Sequence, residues 1–519
     1  MSQTREAFSS RWLMILAMLG MAVGTGNIWR FPRIAAQNGG GEFLVAWVTF
    51  LLLWSIPLIL VEFGMGRKTR SGPVKAFIEM MGPKWAWMGA FVAFVATAIM
   101  FYYSVVAGWT FRFLWASVTG EVPGPSPGSF WAEYIGSNWP LVTHGIAMGL
   151  GVVVVARGVT AIEKVAKVLM PSLLILVVIL AIRAVTLPGA GDGLSYLFSV
   201  DFAALGDARL WVEALTQNAW DTGAGWGLVL CYAAYLREKE DTALNAFIVP
   251  VANNTISLLA GIMVICTVFS VVPQMVANFA ADPNALAGYP ALADAISGGA
   301  SLTPDLVQST IFGAGNEGLT FVWMPQLFIS LPFGRLLMIL FFLALSFAAF
   351  TSLMAMIELA TRVFIDAGVE RKKAIRWVGI GGFLLGVPSA IFTSFQQNQD
   401  WVWAVALMVS GLFFAIAVVV SGVKRFREEH LNHEDSDIRI GKWWEIAISV
   451  LVPIQAVGLM LWLLVQSAQG PMSDWLHPFR VYNVGTVLAQ FAVVLGILLL
   501  LNRWIAAKTS AGDAQSQGS

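Results

Sequence analysis

Apolar stretches long enough to cross a bilayer alternate with short polar connections along this chain. A membrane helix needs about 20 mostly apolar residues, a length that fits roughly twelve times here. The stretches begin near Arg11, Phe43, Trp87, Leu141, Val165, Leu210, Ala243, Gly334, Ile375, Trp401, Trp443 and Tyr482. The pattern predicts an all-α polytopic membrane protein. Lys and Arg collect in alternate connections: Arg67 to Lys84, Arg157 to Lys167, Arg362 to Arg376, and Lys424 to Arg427. Basic connections stay cytoplasmic. Both termini are therefore expected inside, and the connections 122–128 and 271–332, nearly free of Lys and Arg, outside.

Two stretches are interrupted. The first carries Ala22-Val23-Gly24-Thr25-Gly26-Asn27 before it resumes as Ile28-Trp29-Arg30, and the sixth carries Trp220-Asp221-Thr222-Gly223-Ala224-Gly225-Trp226-Gly227. In hydrocarbon every backbone amide and carbonyl must be satisfied, so a break at membrane depth persists where it faces a ligand, ions or a water-filled cavity. Corresponding breaks five spans apart point to two inverted five-span halves with a site between them. Glycines alone would also allow close helix packing. Asp221 tips the reading, because a carboxylate at the bilayer centre needs a partner, and a bound cation is the natural one.

Composition narrows the classes. Of 519 residues 58% are hydrophobic and 12% charged, with 31 basic and 31 acidic side chains confined largely to connections, which leaves no basic face for nucleic acid. Cys231 and Cys266 both lie in apolar stretches and imply no disulfide framework. His144, His430, His433 and His477 stand near span ends or in connections, and no metal-binding, nucleophile or phosphate-loop pattern occurs, so the chain is not read as an enzyme.

The segment from Gly20 to Pro32, followed by Asn38-Gly39-Gly40-Gly41, resembles the neurotransmitter:sodium symporters, particularly their bacterial LeuT-like branch. The resemblance continues through Glu62-x-x-Met65-Gly66-Arg67, Tyr102-Tyr103, the broken span 6, Asn253 and Ala348-x-x-Thr351-Ser352, and covers the first ten spans. It implies a LeuT-type 5+5 inverted repeat with helices 1 and 6 broken. Residues 1–10 would then be a cytoplasmic N-terminal segment, 11–186 the first repeat, and 187–423 the second with a long outer connection between spans 7 and 8. Residues 424–505 would hold spans 11 and 12, and 506–519 a disordered cytoplasmic tail.

The resemblance implies two sodium sites. One would use Ala22, Asn27, Asp221 and Asn253 with the substrate carboxylate; the other Gly20, Val23, Ala348, Thr351 and Ser352. The family's span-6 hydroxyl is replaced by Asp221, and Trp47 stands where chloride-dependent relatives usually carry a tyrosine, while Ser257 keeps a chloride-site position. Asp221 is accordingly expected to supply a fixed negative charge and remove any chloride requirement. Two other roles stay open for it, binding a substrate ammonium or carrying a counter-transported proton.

The substrate pocket implied is Met21, Ala22, Gly24, Thr25, Gly26, Ile99, Tyr103, Trp220, Asp221, Gly223, Trp226, Ser352 and Met356. Glycine at position 24, where monoamine carriers have an aspartate, favours a solute with its own carboxylate. The outer gate would be Arg30 and Asp400, the inner gate Arg5, Tyr235 and Asp366, and Glu62 a structural carboxylate. The expected activity is sodium-driven import of a small amino acid or similar zwitterion by alternating access. A betaine or osmolyte carrier, whose substrate would sit in an aromatic cage, and a non-transporting sensor are the alternatives. A homodimer in the cell membrane is compatible with these features.

Overall fold

Helix ends in this protein follow glycine and proline. The computed structural model describes residues 7–124, 126, 128–237, 240–279, 286, 290–434, 436–469 and 472–518, and every regular element among them is helical. Among the described residues nine helices are long and apolar enough to cross a membrane: Gly41–Thr69, Pro83–Thr119, Val159–Val185, Thr242–Phe279, Gly334–Asp366, Arg371–Ile391, Thr393–Ser421, Trp443–Ser467 and Val484–Gly512. These are spans 2, 3, 5 and 7–12. Span 1 consists of Arg11–Ala22 and Gly26–Gln37, which meet at 56°. Span 4 is Trp139–Val155, and span 6 consists of Ala208–Asp221 and Leu228–Ala233.

The break in span 6 is built by glycine. Gly223, Gly225 and Gly227 take φ of +77°, +86° and +77°, a region that side chains with a Cβ rarely enter. In span 1 Val23 turns extended and the chain resumes as a π-helical turn at Gly26–Arg30.

Span 3 lies at the centre, packed most extensively against span 8, and 83% of its most apolar window is buried. Spans 11 and 12 are peripheral, with 22% and 28% of theirs buried. The broken spans are held inside: the first half of span 1 packs against spans 5, 7 and 8. The connection between spans 7 and 8 contributes short helices that cover the outer half of span 1. Gln308 donates to the carbonyls of Ala36 and Gln37, and Arg33 donates to Asn316 at 2.6 Å.

The structure corrects two sequence readings. Span 10 starts at Thr393, not near Trp401. The polar run Gln396 to Asp400 lies within this helix, where Asn398 and Gln399 are tied to Thr486 and Gln490 of span 12 by side-chain hydrogen bonds. The segment from Ala506, expected as a tail, lies in the last helix, which continues to Gly518. Its small residues allow close approach, since a Cβ on Gly512 would stand 2.5 Å from the Asp366 carbonyl oxygen.

Candidate functional site

The two breaks face each other, and freed backbone groups meet side chains there. At the first break the amide of Gly24 donates to Asn27 Oδ1 at 2.7 Å, and the amide of Thr25 donates to the Tyr103 hydroxyl of span 3 at 3.0 Å. Unpaired, each would cost several kcal/mol in hydrocarbon, on the order of the penalty for any unsatisfied buried polar group. Gly24 has no room for a side chain: a Cβ would lie 2.9 Å from the Tyr103 hydroxyl and 3.0 Å from Ser352 Oγ.

Below the break, oxygens converge from spans 1 and 8. Ser352 Oγ lies 3.4 Å from the Gly20 carbonyl, 3.2 Å from that of Met21 and 3.3 Å from that of Val23. Thr351 Oγ1 donates to Phe347 and lies 3.1 Å from the Ala348 carbonyl. A Cβ on Gly20 would sit 3.2 Å from Thr351 Cβ, so the helices touch at this level. The five residues expected at one sodium position thus lie on facing segments of spans 1 and 8, and the groups expected to ligate there are neutral oxygens.

A second polar group surrounds Asp221. Its Oδ2 accepts from Ser257 Oγ at 3.2 Å and from Gln217 Nε2 at 3.2 Å, while Oδ1 is buried without a hydrogen-bond partner. Asn27 Nδ2 donates to Asn253 Oδ1 at 2.9 Å and to Ser257 Oγ at 2.7 Å. Asp221 is therefore linked through Ser257 to Asn27, and through Asn27 to Asn253, with Ala22 beside Asn27 and Asp221 on the cavity wall. Gln217 is a member that the sequence reading missed; it lies one helical turn before Asp221, a spacing that would have marked it. Among the described residues no group of three or more His, Cys, Asp or Glu forms a metal site.

Between the breaks lies a small cavity of about 20 Å³, room for about one water. Its walls include Met21, Ala22, Gly24, Gly26, Tyr103, Trp220, Asp221, Gly223, Trp226, Ser352 and Met356, as expected, together with Asn27 and Leu228. Thr25 and Ile99 are buried but are not wall residues. Thr25 is turned toward Tyr103, its hydroxyl 3.3 Å from the phenol oxygen. A larger solute enters only as flexible wall side chains such as Met21 and Met356 move. Trp220 covers Gly26, where a Cβ would meet its ring at 2.7 Å, and packs edge-on against Trp226 at 5.4 Å.

The gate residues are arranged differently from the simple pairs expected. Arg30 lies over the Trp220 ring at 5.5 Å, whereas Asp400 accepts from the Tyr102 hydroxyl at 3.2 Å; no Arg30–Asp400 ion pair forms among the described residues. At the basic end Asp366 pairs with Arg362 at 3.0 Å and accepts from the Gly72 amide at 2.6 Å. Tyr235 is held by Glu358 and Arg362, and Glu358 pairs with Arg371 at 2.6 Å. Arg5 lies outside the described residues. Glu358, Arg362 and Arg371 escaped the sequence reading: two stood as ordinary basic connection residues, and Glu358 carries no local motif. Nearby, Phe8 donates its amide to the Tyr235 carbonyl at 3.0 Å.

Glu62 is fully buried in span 2 and caps the unwound part of span 6. Its carboxylate accepts from the Gly225 amide at 2.7 Å and the Leu230 amide at 3.1 Å.

The sequence model of the sodium:neurotransmitter symporter family matches residues 5–138 and 133–507. The chain is 31% identical over 474 residues to an uncharacterized sodium-dependent transporter of Methanocaldococcus jannaschii, covering 87% of this chain and 88% of that one. It is 24% identical over 572 residues to the mouse sodium- and chloride-dependent neutral and basic amino acid transporter B(0+), covering 95% and 84%. Among solved structures it is similar to MhsT in complex with L-phenylalanine, with a TM-score of 0.72 and 28% identity over 88% of this chain and 99% of that one.

Proposed function

This chain belongs to the sodium:neurotransmitter symporter family and is a sodium-dependent symporter, and we propose that it imports a small amino acid with an apolar side chain, without chloride. The observation that carries this reading is Asp221: a buried carboxylate with one oxygen unpartnered, joined through Ser257 to Asn27 and Asn253. A charge held there in low dielectric needs a cation. Sodium at Ala22, Asn27, Asp221 and Asn253 would provide it, and the carboxylate would in turn supply the negative charge that chloride supplies elsewhere.

The second sodium would sit among the Gly20, Val23 and Ala348 carbonyls and the Thr351 and Ser352 hydroxyls. Neutral hard oxygens suit a monovalent ion, since calcium favours carboxylates and magnesium retains water. The substrate carboxylate would take up the amides at the first break, with the Tyr103 hydroxyl beside it, and its side chain would meet Met21, Trp226 and Met356. The solved relative MhsT was determined with L-phenylalanine, which supports an apolar side chain. Against a quaternary ammonium stands Arg30, which already occupies a face of Trp220.

The Lys and Arg distribution supports cytoplasmic termini in a cell membrane. Each sodium crossing about 100 mV releases about 2.3 kcal/mol, and a tenfold gradient adds about 1.4. Two ions would drive steep accumulation.

The test is uptake into proteoliposomes of labelled neutral amino acids and glycine betaine under an inward sodium gradient in chloride-free buffer. Concentrative amino-acid uptake that vanishes when potassium replaces sodium is expected. Uptake of betaine alone, or a requirement for chloride, would overturn the corresponding part of the reading.

A further inference from the structure

Spans 11 and 12 lie outside the two five-span halves, yet the first turns of span 12 share a cluster of side-chain amides with span 10. Asn398 Nδ2 donates to Thr486 Oγ1 and to the Val481 carbonyl, each at 3.1 Å. Gln490 Nε2 donates to Asn398 Oδ1 at 2.8 Å and to Thr486 Oγ1 at 3.2 Å, while its Oε1 accepts from Gln399 Nε2 at 3.2 Å. Gln399 Oε1 accepts in turn from Trp403 Nε1 at 2.8 Å. Just past the cluster Trp401 Nε1 donates to the Asn483 carbonyl at 3.2 Å, and the Asn483 side chain caps span 12 by accepting from the Thr486 amide at 3.0 Å. Polar side chains of this kind hold membrane helices together. Apolar packing does less here, because a cavity of about 740 Å³ opens between the two spans, with Phe395, Trp403 and Val494 on its walls beside the amides. Hydrogen bonds more than side-chain fit therefore set the position of span 10 against span 12 at this level.

Asp400 follows Gln399 directly, and one helical step turns it away from span 12 and onto span 3, where it accepts from the Tyr102 hydroxyl at 3.2 Å. The next residue of span 3, Tyr103, lies on the wall of the cavity between the breaks and accepts from the Thr25 amide. We propose that Gln490 and Thr486 are positioning residues for closure over that cavity: through Asn398 and Gln399 they set Asp400 against Tyr102. Neither lines the cavity, so they act through span 10 and not on the ions or the solute. The Asp400–Tyr102 bond tolerates little displacement, since a hydrogen bond stretched a few tenths of an ångström beyond its normal range is lost. A span 10 released from span 12 therefore lets the bond part and the outer side open more often. The proposal gives span 12 a part in the transport cycle and rests on the alternating-access reading, with Asp400 at the outer mouth.

The test reads access to the cavity from outside. Met21, on the cavity wall, is replaced by cysteine in a background carrying Cys231→Ser and Cys266→Ser, and whole cells in sodium medium are treated with a membrane-impermeant methanethiosulfonate. Gln490→Met keeps the length of the side chain and removes its hydrogen bonds, so labelling of Met21→Cys is expected to speed about fivefold, the order of one net hydrogen bond. Thr486→Val should act alike, while Thr486→Ser, which keeps the hydroxyl, should hold the parent rate. Tyr102→Phe should also speed labelling, and adding Gln490→Met to it should add nothing, because span 12 acts through the Asp400–Tyr102 bond. Parent rates in Gln490→Met and Thr486→Val, no labelling in any variant included, overturn the proposal. So do equal rates in Thr486→Ser and Thr486→Val, or additive effects of Gln490→Met and Tyr102→Phe, which a merely destabilised helix pair would give. A parent rate in Tyr102→Phe alone instead removes the Asp400–Tyr102 bond from outer closure, and the proposal with it. The measurement needs no transported solute, so its failure is separate from failure of the amino-acid reading.

Discussion

The Tyr103 hydroxyl stands 2.9 Å from the point where a β-carbon on Gly24 would lie, so span 3 leaves the first break no room for a side chain. Gly24→Ala must push Tyr103 or Ser352 aside, an overpacking cost of about 1–3 kcal/mol. Sodium-driven uptake is expected to fall at least tenfold, on the order of that cost, and Gly24→Asp should abolish it without creating amine transport. Wild-type uptake in Gly24→Ala would show that the break relaxes freely.

Replacing Asp221 by serine removes the buried charge and restores the hydroxyl of chloride-dependent relatives. Chloride-free uptake should collapse, with activity returning when chloride is added. The check is uptake in matched chloride and gluconate buffers; unchanged chloride-free uptake removes Asp221 from the charge balance.

Ser352 Oγ lies within 3.4 Å of three span-1 carbonyls. Ser352→Ala deletes a proposed sodium ligand and should raise the sodium concentration for half-maximal uptake about tenfold, the effect of one lost charge-assisted contact. A sodium titration at saturating substrate measures it. A change in substrate KM alone would instead make Ser352 a pocket residue.

Glu62 satisfies amides that glycine leaves open in span 6. Glutamine offers a single acceptor oxygen and a clashing amide, so Glu62→Gln should lower stability by about 1–3 kcal/mol. The thermal midpoint in detergent is expected to fall even without sodium or substrate. A midpoint equal to wild type would mean that the span-6 amides find other partners.

Arg371→Ala leaves Glu358 buried without its cation, at a cost of about 3–5 kcal/mol to the arrangement described here. The inner end should open more often, seen as faster maleimide labelling of Cys231 in a Cys266→Ser background. Arg371→Ala paired with Glu358→Gln should recover much of the loss, because no uncompensated charge remains.

The site was largely legible in the sequence because its makers are local. Gly223, Gly225 and Gly227 crowd into five residues beside Asp221, and a carboxylate inside an apolar run announces a polar partner. The oxygens at Thr351 and Ser352 entered the reading only through the family resemblance. The charged network at the basic end was hidden for the opposite reason. Glu358 and Arg371 are 13 residues apart across a helix end and meet only because spans 8 and 9 fold back on each other. Nothing in either segment states that partner.

Sequence alone determined the spans, their breaks and the chemistry of the groups at each break. Bilayer thickness and backbone hydrogen bonding act on contiguous residues, so those features can be read along the chain. Tertiary structure alone decided which partners those groups take: Arg30 on Trp220 and not on Asp400, Tyr102 on Asp400, and Gln217 and Ser257 on Asp221. It also gave Asn398 and Gln399 their contacts with span 12. Pairing depends on distances between segments far apart in sequence, and in a packed interior those distances are set by side-chain fit across whole helix faces.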